Sequence, residues 1–220
     1  LLAAYIDSTN LKPESSRYDI ISLCEQAAAY GMAAVCINPC HVLLAQNILA
    51  ESNVKVCTVS GFPLGAECTA TKVFATRQAL LDGANEVDMV VNLGAIKDHD
   101  WKYVRDEIEQ VLVLKKDYLF ELKVIVETAL LSPEELAAVT ELVSLSGADY
   151  IKTSTGFSHR GVNMEDIQII NNHRSKDLKI KASGGIKDVD FALQLINAGV
   201  NRIGTSNAEL LLKEYMTNKR

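Results

Sequence analysis

No apolar run in the 220-residue chain approaches twenty residues, so no membrane span is expected. The opening LLAAYIDSTN lacks a basic segment and a cleavage site, so it does not read as a signal peptide; a first residue other than Met points to a trimmed start. Cysteine is sparse and odd in number: Cys24, Cys36, Cys40, Cys57 and Cys68, with no C-x-x-C pair. That argues against a disulfide framework or a zinc ribbon. Cys36, Cys40 and His41 lie close together but lack a second pair of ligands, and the plainer reading is small buried hydrophobes in a reducing compartment, the cytoplasm. There is no basic stripe. Acidic residues outnumber basic ones 28 to 22, giving a net charge of −6, which argues against nonspecific nucleic-acid binding. Neither a G-x-G-x-x-G nor a Walker motif occurs, which disfavours a nucleotide. Nor does any linker or low-complexity stretch interrupt the chain.

What is present is regular. Nearly half the residues are apolar, enough for a large core. Short runs rich in Val and Ile predict strands at Ala3–Ile6, Ala33–Ile37, Lys55–Val59, Glu86–Val91, Leu122–Val126, Tyr150–Lys152, Lys179–Ala182 and Arg202–Gly204. Segments of helical period fall between them: Tyr18–Tyr30, Pro39–Ala50, Glu67–Leu81, Asp100–Lys115, a helix opened by the capping box at Ser132 and closed by Gly147, Asn163–Asn172, Asp188–Asn197 and Ser206–Tyr215. Eight strands alternate with eight helices. A doubly wound sheet is possible, but this count in this length fits a single-domain α/β (β/α)8 TIM barrel over residues 1–220 best.

In such a barrel the site lies at the C-terminal strand ends. The strands present Asp7, Asp88 and Asn92, Glu127, Lys152 and Lys181 there. Side chains alternate across a strand, so Glu86 and Asp88 share one face and Val87, Met89 and Val91 the other; Lys123 and Glu127 oppose Leu122, Val124 and Val126; Lys179 and Lys181 oppose Ile180 and Ala182. If the apolar face packs on the helices, the charged face points inward, where it must be paired. Lys123, Glu86 and Lys179 read as a structural network in the lower layers. Lys152, Lys181 and Asp88 read as functional, because Lys152 runs straight into the hydroxyl- and glycine-rich turn Thr153-Ser154-Thr155-Gly156.

Glycine turns after the seventh and eighth strands expose backbone N–H groups beside helix starts, a place where phosphates bind in this fold. The candidates are Gly184, Gly185, Gly204 and Ser206, with Gly156 after the sixth strand. A buried lysine beside a second ammonium is expected to be partly neutral and so nucleophilic toward an aldehyde. Asp88 can move a proton at the hydroxyl where a carbon–carbon bond breaks, and Asp7 can hold water or orient a lysine. These residues spell a Schiff-base aldolase for a phosphorylated sugar that needs no metal and no other cofactor.

The segments YIDSTNLKP (5–13), EVDMVVNLGAIK (86–97), LKVIVET (122–128), DYIKTSTGF (149–157), IKASGGIK (180–187) and NRIGTSN (201–207) closely resemble the class I deoxyribose-phosphate aldolases. The resemblance implies reversible cleavage of 2-deoxy-D-ribose 5-phosphate to D-glyceraldehyde 3-phosphate and acetaldehyde. It implies Lys152 as the Schiff-base lysine, Lys181 as its perturbing and proton-relaying partner, Asp88 as proton donor and acceptor, and Asp7 as a supporting carboxylate. The phosphate is expected at Gly156, Gly184, Gly185, Gly204 and Ser206, with Thr155 and Asn207 nearby, and the protein is expected to be a homodimer. Two departures stand out. The loop Ser158–Asn163 is poorer in glycine than in many relatives; His159 and Arg160 there read as solvent-exposed rather than phosphate contacts. Tyr215 falls within the last predicted helix, so the role of a C-terminal tyrosine found in some relatives is not carried over to it. A phosphosugar isomerase or synthase, or a catalytically silent sugar-phosphate binder, remain the alternatives on the same barrel.

Overall fold

The computed structural model describes residues 2–217. Eight parallel strands, each hydrogen-bonded to the next and the last to the first, form a closed barrel. In chain order they are β1 (Ile6–Asn10), β2 (Ala34–Ile37), β3 (Lys55–Ser60), β4 (Glu86–Val90), β5 (Glu121–Ile125), β6 (Tyr150–Lys152), β7 (Lys179–Ser183) and β8 (Arg202–Thr205). The α-helices between and after them are α1 (Arg17–Tyr30), α2 (Val42–Ile48), α3 (Thr69–Leu81), α4 (Leu93–Lys97), α5 (Trp101–Leu112), α6 (Pro133–Ser146), α7 (Met164–His173), α8 (Val189–Asn197) and α9 (Ala208–Thr217). The (β/α)8 expectation holds. None of the described helices is long and apolar enough to cross a membrane.

One expected strand is displaced. Ala3–Ile6 is not a strand: residues 2–5 wind into a 3-10 turn and β1 begins at Ile6. The apolar run misled because register decides which residues pair. Asp7 lies opposite Ala34 and Gly204, so Asp7 is the second residue of β1, deep in the barrel, rather than at its end. A short helix, α4, was also not anticipated. Asn92 caps it by accepting a hydrogen bond from the Ala95 N–H at 3.0 Å, so this strand-end side chain is used in local structure.

Helix boundaries follow local chemistry. Ser16 with Asp19, Ser132 with Glu135 and Asn163 with Asp166 form reciprocal capping boxes, and Gly31 and Gly147 close α1 and α6 in the left-handed conformation. The strand alternation holds as read. Val87, Met89, Val91, Leu122, Val124 and Val126 pack outward into one cluster with Val104, Ile108, Val139 and Val143 from the helices. This leaves the polar residues of the same strands to face the barrel axis.

A second buried polar group lies outside the barrel. The Lys72 ammonium of α3 donates to the carbonyls of Gly65 and Val90, both at 2.8 Å, and pairs with Glu107 of α5 at 2.6 Å. The other Glu107 oxygen accepts the Asn92 N–H at 2.9 Å. This pair pins the β3–α3 loop and the end of β4 to α5. The sequence reading missed it, since a lone lysine and a lone glutamate on amphipathic helices look like solvated positions.

Candidate active site

The inward face of β4 carries Glu86 and Asp88, and the neighbouring strands bring cations to them. Asp88 is the centre. Its Oδ2 accepts from Lys152 Nζ at 2.8 Å and from Lys181 Nζ at 2.6 Å, and its Oδ1 lies 3.2 Å from Lys123 Nζ. Lys181 also reaches Asp7 Oδ2 at 2.5 Å, and Arg202 bridges Asp7 at 2.6 Å and Glu86 at 3.0 Å. Register explains the convergence: Lys152 of β6 lies opposite Lys181 of β7, which lies opposite Arg202 of β8, and Asp88 of β4 lies opposite Lys123 of β5.

The electrostatics follow. Burial alone would raise Asp88, but Lys123, Lys152 and Lys181 outweigh it and hold the carboxyl well below the usual range. Asp7 is likewise lowered against its burial by Lys181 and Arg202. Burial would lower Lys181, yet Asp7 and Asp88 hold it well above an ordinary lysine. Lys181 is thus held as the neighbouring cation that was expected, but a shared Asp88 oxygen stands between its ammonium and that of Lys152.

The expected lower-layer network is also redrawn. Lys123 pairs with Glu86 at 2.5 Å but touches Asp88 as well, so the structural and functional layers are continuous. Lys179 leaves the interior altogether and pairs with Glu121 at 3.0 Å at the exposed N-terminal end of the barrel. Arg202, not singled out from the sequence, takes the place assigned to Lys179. Strand parity carried the signal, because Arg202 and Gly204 share the inner face of β8.

Cys36 and Cys57 face inward too. Both are buried in a small apolar cluster with Leu11, Ala34 and Val59, as read, and the Cys57 thiol in addition donates to Asp88 Oδ1 at 3.1 Å. Cys40 is exposed, and the Cys36-Cys40-His41 grouping does not converge. Instead the sulfurs of Cys36 and Cys57 and a carboxylate oxygen of Asp88 lie within 4.8 Å of one another. A metal ion there would have to displace the ammonium groups already on Asp88.

Above the charges opens a cavity of about 290 Å³ lined by the ends of β1, β6, β7 and β8. Lys152, only 3 % exposed, reaches it, whereas Lys181 at 0 % does not line it. Gly156, Gly184, Gly185, Gly204, Ser206 and Asn207 line it as well. Gly184 and Gly185 have φ of +82° and +76°, a conformation that turns their N–H groups out of the ladder. The N–H groups of Gly184, Gly185 and Ser206 donate to no acceptor among the described residues. Gly204 has an additional duty: a Cβ there would lie 2.5 Å from Ser183 Oγ and 3.2 Å from Lys181 Cε.

A model of the DeoC/LacD family of aldolases matches residues 2–206. The chain belongs to this family. It is 48% identical to the deoxyribose-phosphate aldolase of Thermococcus kodakarensis over 208 residues, covering 94% of this chain and 93% of that one. It is likewise 48% identical over 212 residues to deoxyribose-phosphate aldolase 1 of Bacillus licheniformis, covering 96% and 95%. Among solved structures, an aldolase called QR15 superposes with a TM-score of 0.93 at 40% identity, covering 99% of this chain and 97% of that one. The deoxyribose phosphate aldolase of Aeropyrum pernix, described as a unique tetramer, superposes at 0.91 with 30% identity, covering 99% and 92%.

Some expected neighbours play other parts in this aldolase. Thr155 lines the cavity, but its hydroxyl donates to Glu127 and accepts the Phe157 N–H at 3.1 Å. It has no proton left for a phosphate, which only accepts. Glu127 does not line the cavity; from an unusual backbone φ of +51° it also takes the Thr155 N–H at 3.2 Å and so holds the turn after Lys152. Arg160 forks onto both Asp166 oxygens at 2.6 and 3.0 Å and onto the Thr128 carbonyl at 3.1 Å, and neither it nor exposed His159 lines the cavity. Tyr215 packs in α9 against the core. Lys12 and Lys187 line the cavity and were not singled out from the sequence. Both sit in loops, where no periodicity marks direction.

Proposed function

We propose that the chain acts as one barrel domain that reversibly cleaves 2-deoxy-D-ribose 5-phosphate to D-glyceraldehyde 3-phosphate and acetaldehyde, through an imine on Lys152. Lys152 attacks the C1 aldehyde of the open-chain sugar, and loss of water leaves a protonated imine. A base takes the proton of the C3 hydroxyl. The C2–C3 bond breaks, its electron pair passes into the imine to give an enamine, and C3 leaves as the aldehyde of glyceraldehyde 3-phosphate. Protonation at C2 and hydrolysis release acetaldehyde and the amine. Asp88, held ionised, begins as the acceptor. The proton it takes is the one returned at C2, and Lys181, held protonated between Asp88 and Asp7, hydrogen-bonds the carboxylate through which that proton passes. Gly156, Gly184, Gly185, Gly204 and Ser206 form the phosphate wall, with Lys187 beside it.

One observation carries the assignment of the nucleophile. Four cations, Lys123, Lys152, Lys181 and Arg202, face three carboxylates, Asp7, Glu86 and Asp88, in the interior, and of the four Lys152 is the one that lines the cavity. Removing one proton balances this set. Borohydride treatment in the presence of substrate is expected to fix one adduct, on the peptide carrying Lys152, and Lys152→Ala to abolish both adduct and acetaldehyde release. An adduct on Lys181 instead overturns the assignment. Acetaldehyde release without any trapped adduct overturns the imine route and favours acid–base chemistry.

Residence in the cytoplasm and assembly as a homodimer complete this reading. The exposed Phe74 and Leu81, two helical turns apart on α3, support self-association. Light scattering on the purified protein tests it, with a monomer at working concentration the contrary result.

A further inference from the structure

We infer that Lys12, in the loop between β1 and α1, is a binding residue for the substrate phosphate, so that the phosphate is held from three adjacent strands and by a cation on either side. The inference rests on the phosphosugar reading above and extends it to a residue that belongs to neither the glycine turns nor the charge cluster.

Strand order is the first support. Around the barrel β7, β8 and β1 are consecutive, so the turn after β8, Gly204 to Asn207, lies between the loop after β7 and the loop after β1. Lys187 belongs to the first of these loops and Lys12 to the second, and both line the one cavity whose wall carries the free N–H groups of Gly184, Gly185 and Ser206. An anion seated on those N–H groups therefore has a lysine on each flank.

Charge is the second. Among the described residues Lys12 and Lys187 have no carboxylate within 4.0 Å, although the chain carries six more acidic than basic residues. Asp19, which feels the charge of Lys12, has its carboxylate held by Ser16, through the backbone N–H at 2.8 Å and the hydroxyl at 2.7 Å. Unpaired cations on an acidic protein, gathered at one mouth, focus the field that draws a dianion in.

Preorganisation is the third. Lys12 stands in a loop that is tied at several points. Its carbonyl accepts from Asn38 Nδ2 at 3.1 Å and from the Ser15 N–H at 3.2 Å. Asn10 Oδ1 accepts the Ser15 hydroxyl at 2.6 Å and the Lys12 N–H at 3.4 Å. Pro13 restricts the Lys12 backbone further. The loop thus presents the lysine without having to be ordered by the ligand.

The test compares Lys12→Met with wild type on 2-deoxy-D-ribose 5-phosphate and on 2-deoxy-D-ribose. The expected result is a fall of about five- to tenfold in the preference for the phosphorylated sugar, seen as a raised KM with kcat within about twofold, as for one lost lysine–phosphate contact at a partly exposed site. Lys12→Arg should restore most of it. Inorganic phosphate binding, measured by calorimetry, should weaken in parallel, and this arm does not depend on turnover. An equal loss on both sugars, or an unchanged preference with unchanged phosphate binding, overturns the inference. A wild type that binds phosphate through Lys12 yet forms no imine with either sugar would retain the anion site and sink the aldolase reading alone.

Discussion

The Lys72–Glu107 pair and the Asp88 cluster are both closed to solvent, yet they are built on opposite terms. Lys72 has three acceptors, the two carbonyls and Glu107, and Glu107 has two donors; every strong bond they can make is local and satisfied. The Asp88 cluster instead crowds more cations than carboxylates, and one cation sits at the floor of a cavity. Net shifts differ in sign as well. Burial pushes the Glu107 carboxyl up, and one lysine does not fully offset it. Three ammonium groups more than offset the same effect at Asp88. Burial of charge therefore does not distinguish the two; surplus charge with access to a cavity does.

Breaking the centre of the Asp88 cluster should have the largest effect. Asp88→Asn is expected to lower turnover by about 10²–10⁴-fold while leaving part of the borohydride-trapped adduct, because imine formation at Lys152 does not require Asp88 as the base for bond cleavage. Equal loss of adduct and turnover would show that Asp88 acts earlier.

The closed pair should respond in stability, not chemistry. Lys72→Met leaves Glu107 buried and unpaired and should cost about 3–5 kcal/mol in urea unfolding, with the specific activity of the folded protein preserved. Adding Glu107→Leu should recover much of the loss, since no orphan charge remains. If the double variant is as unstable as the single one, the pair matters as a loop anchor rather than as a neutralised charge.

The pH dependences provide a finer contrast. Asp88 is depressed in the folded state, so its contribution is present above the unfolded carboxyl value of about 3.9 and is lost as pH falls toward its folded value. Glu107 is raised, so its contribution is present below the unfolded value of about 4.3 and is lost as pH rises through its folded value. The stability gap between wild type and Asp88→Asn should thus widen with rising pH across the acid range, while the gap to Glu107→Gln narrows. Parallel slopes would remove the distinction between the two sites.

The chain by itself determined the alternation of strands and helices, the caps, and which residues share a face within β4 to β7. These depend on interactions within a few residues: a pleat of period two, a capping side chain three positions from its partner, a glycine that can turn left-handed. They made Lys152, Lys181 and Asp88 legible as a set. Tertiary structure alone decided which charges meet. The register between strands brought Asp88 between two lysines, gave Glu86 to Arg202, sent Lys179 out to Glu121 and moved Asp7 inward. It also placed Cys57 on Asp88 and made Lys72 a buried anchor. Such side-chain pairings join residues 31 to 195 positions apart, and no local preference encodes them, because the field at each group is the sum over neighbours that only barrel closure assembles.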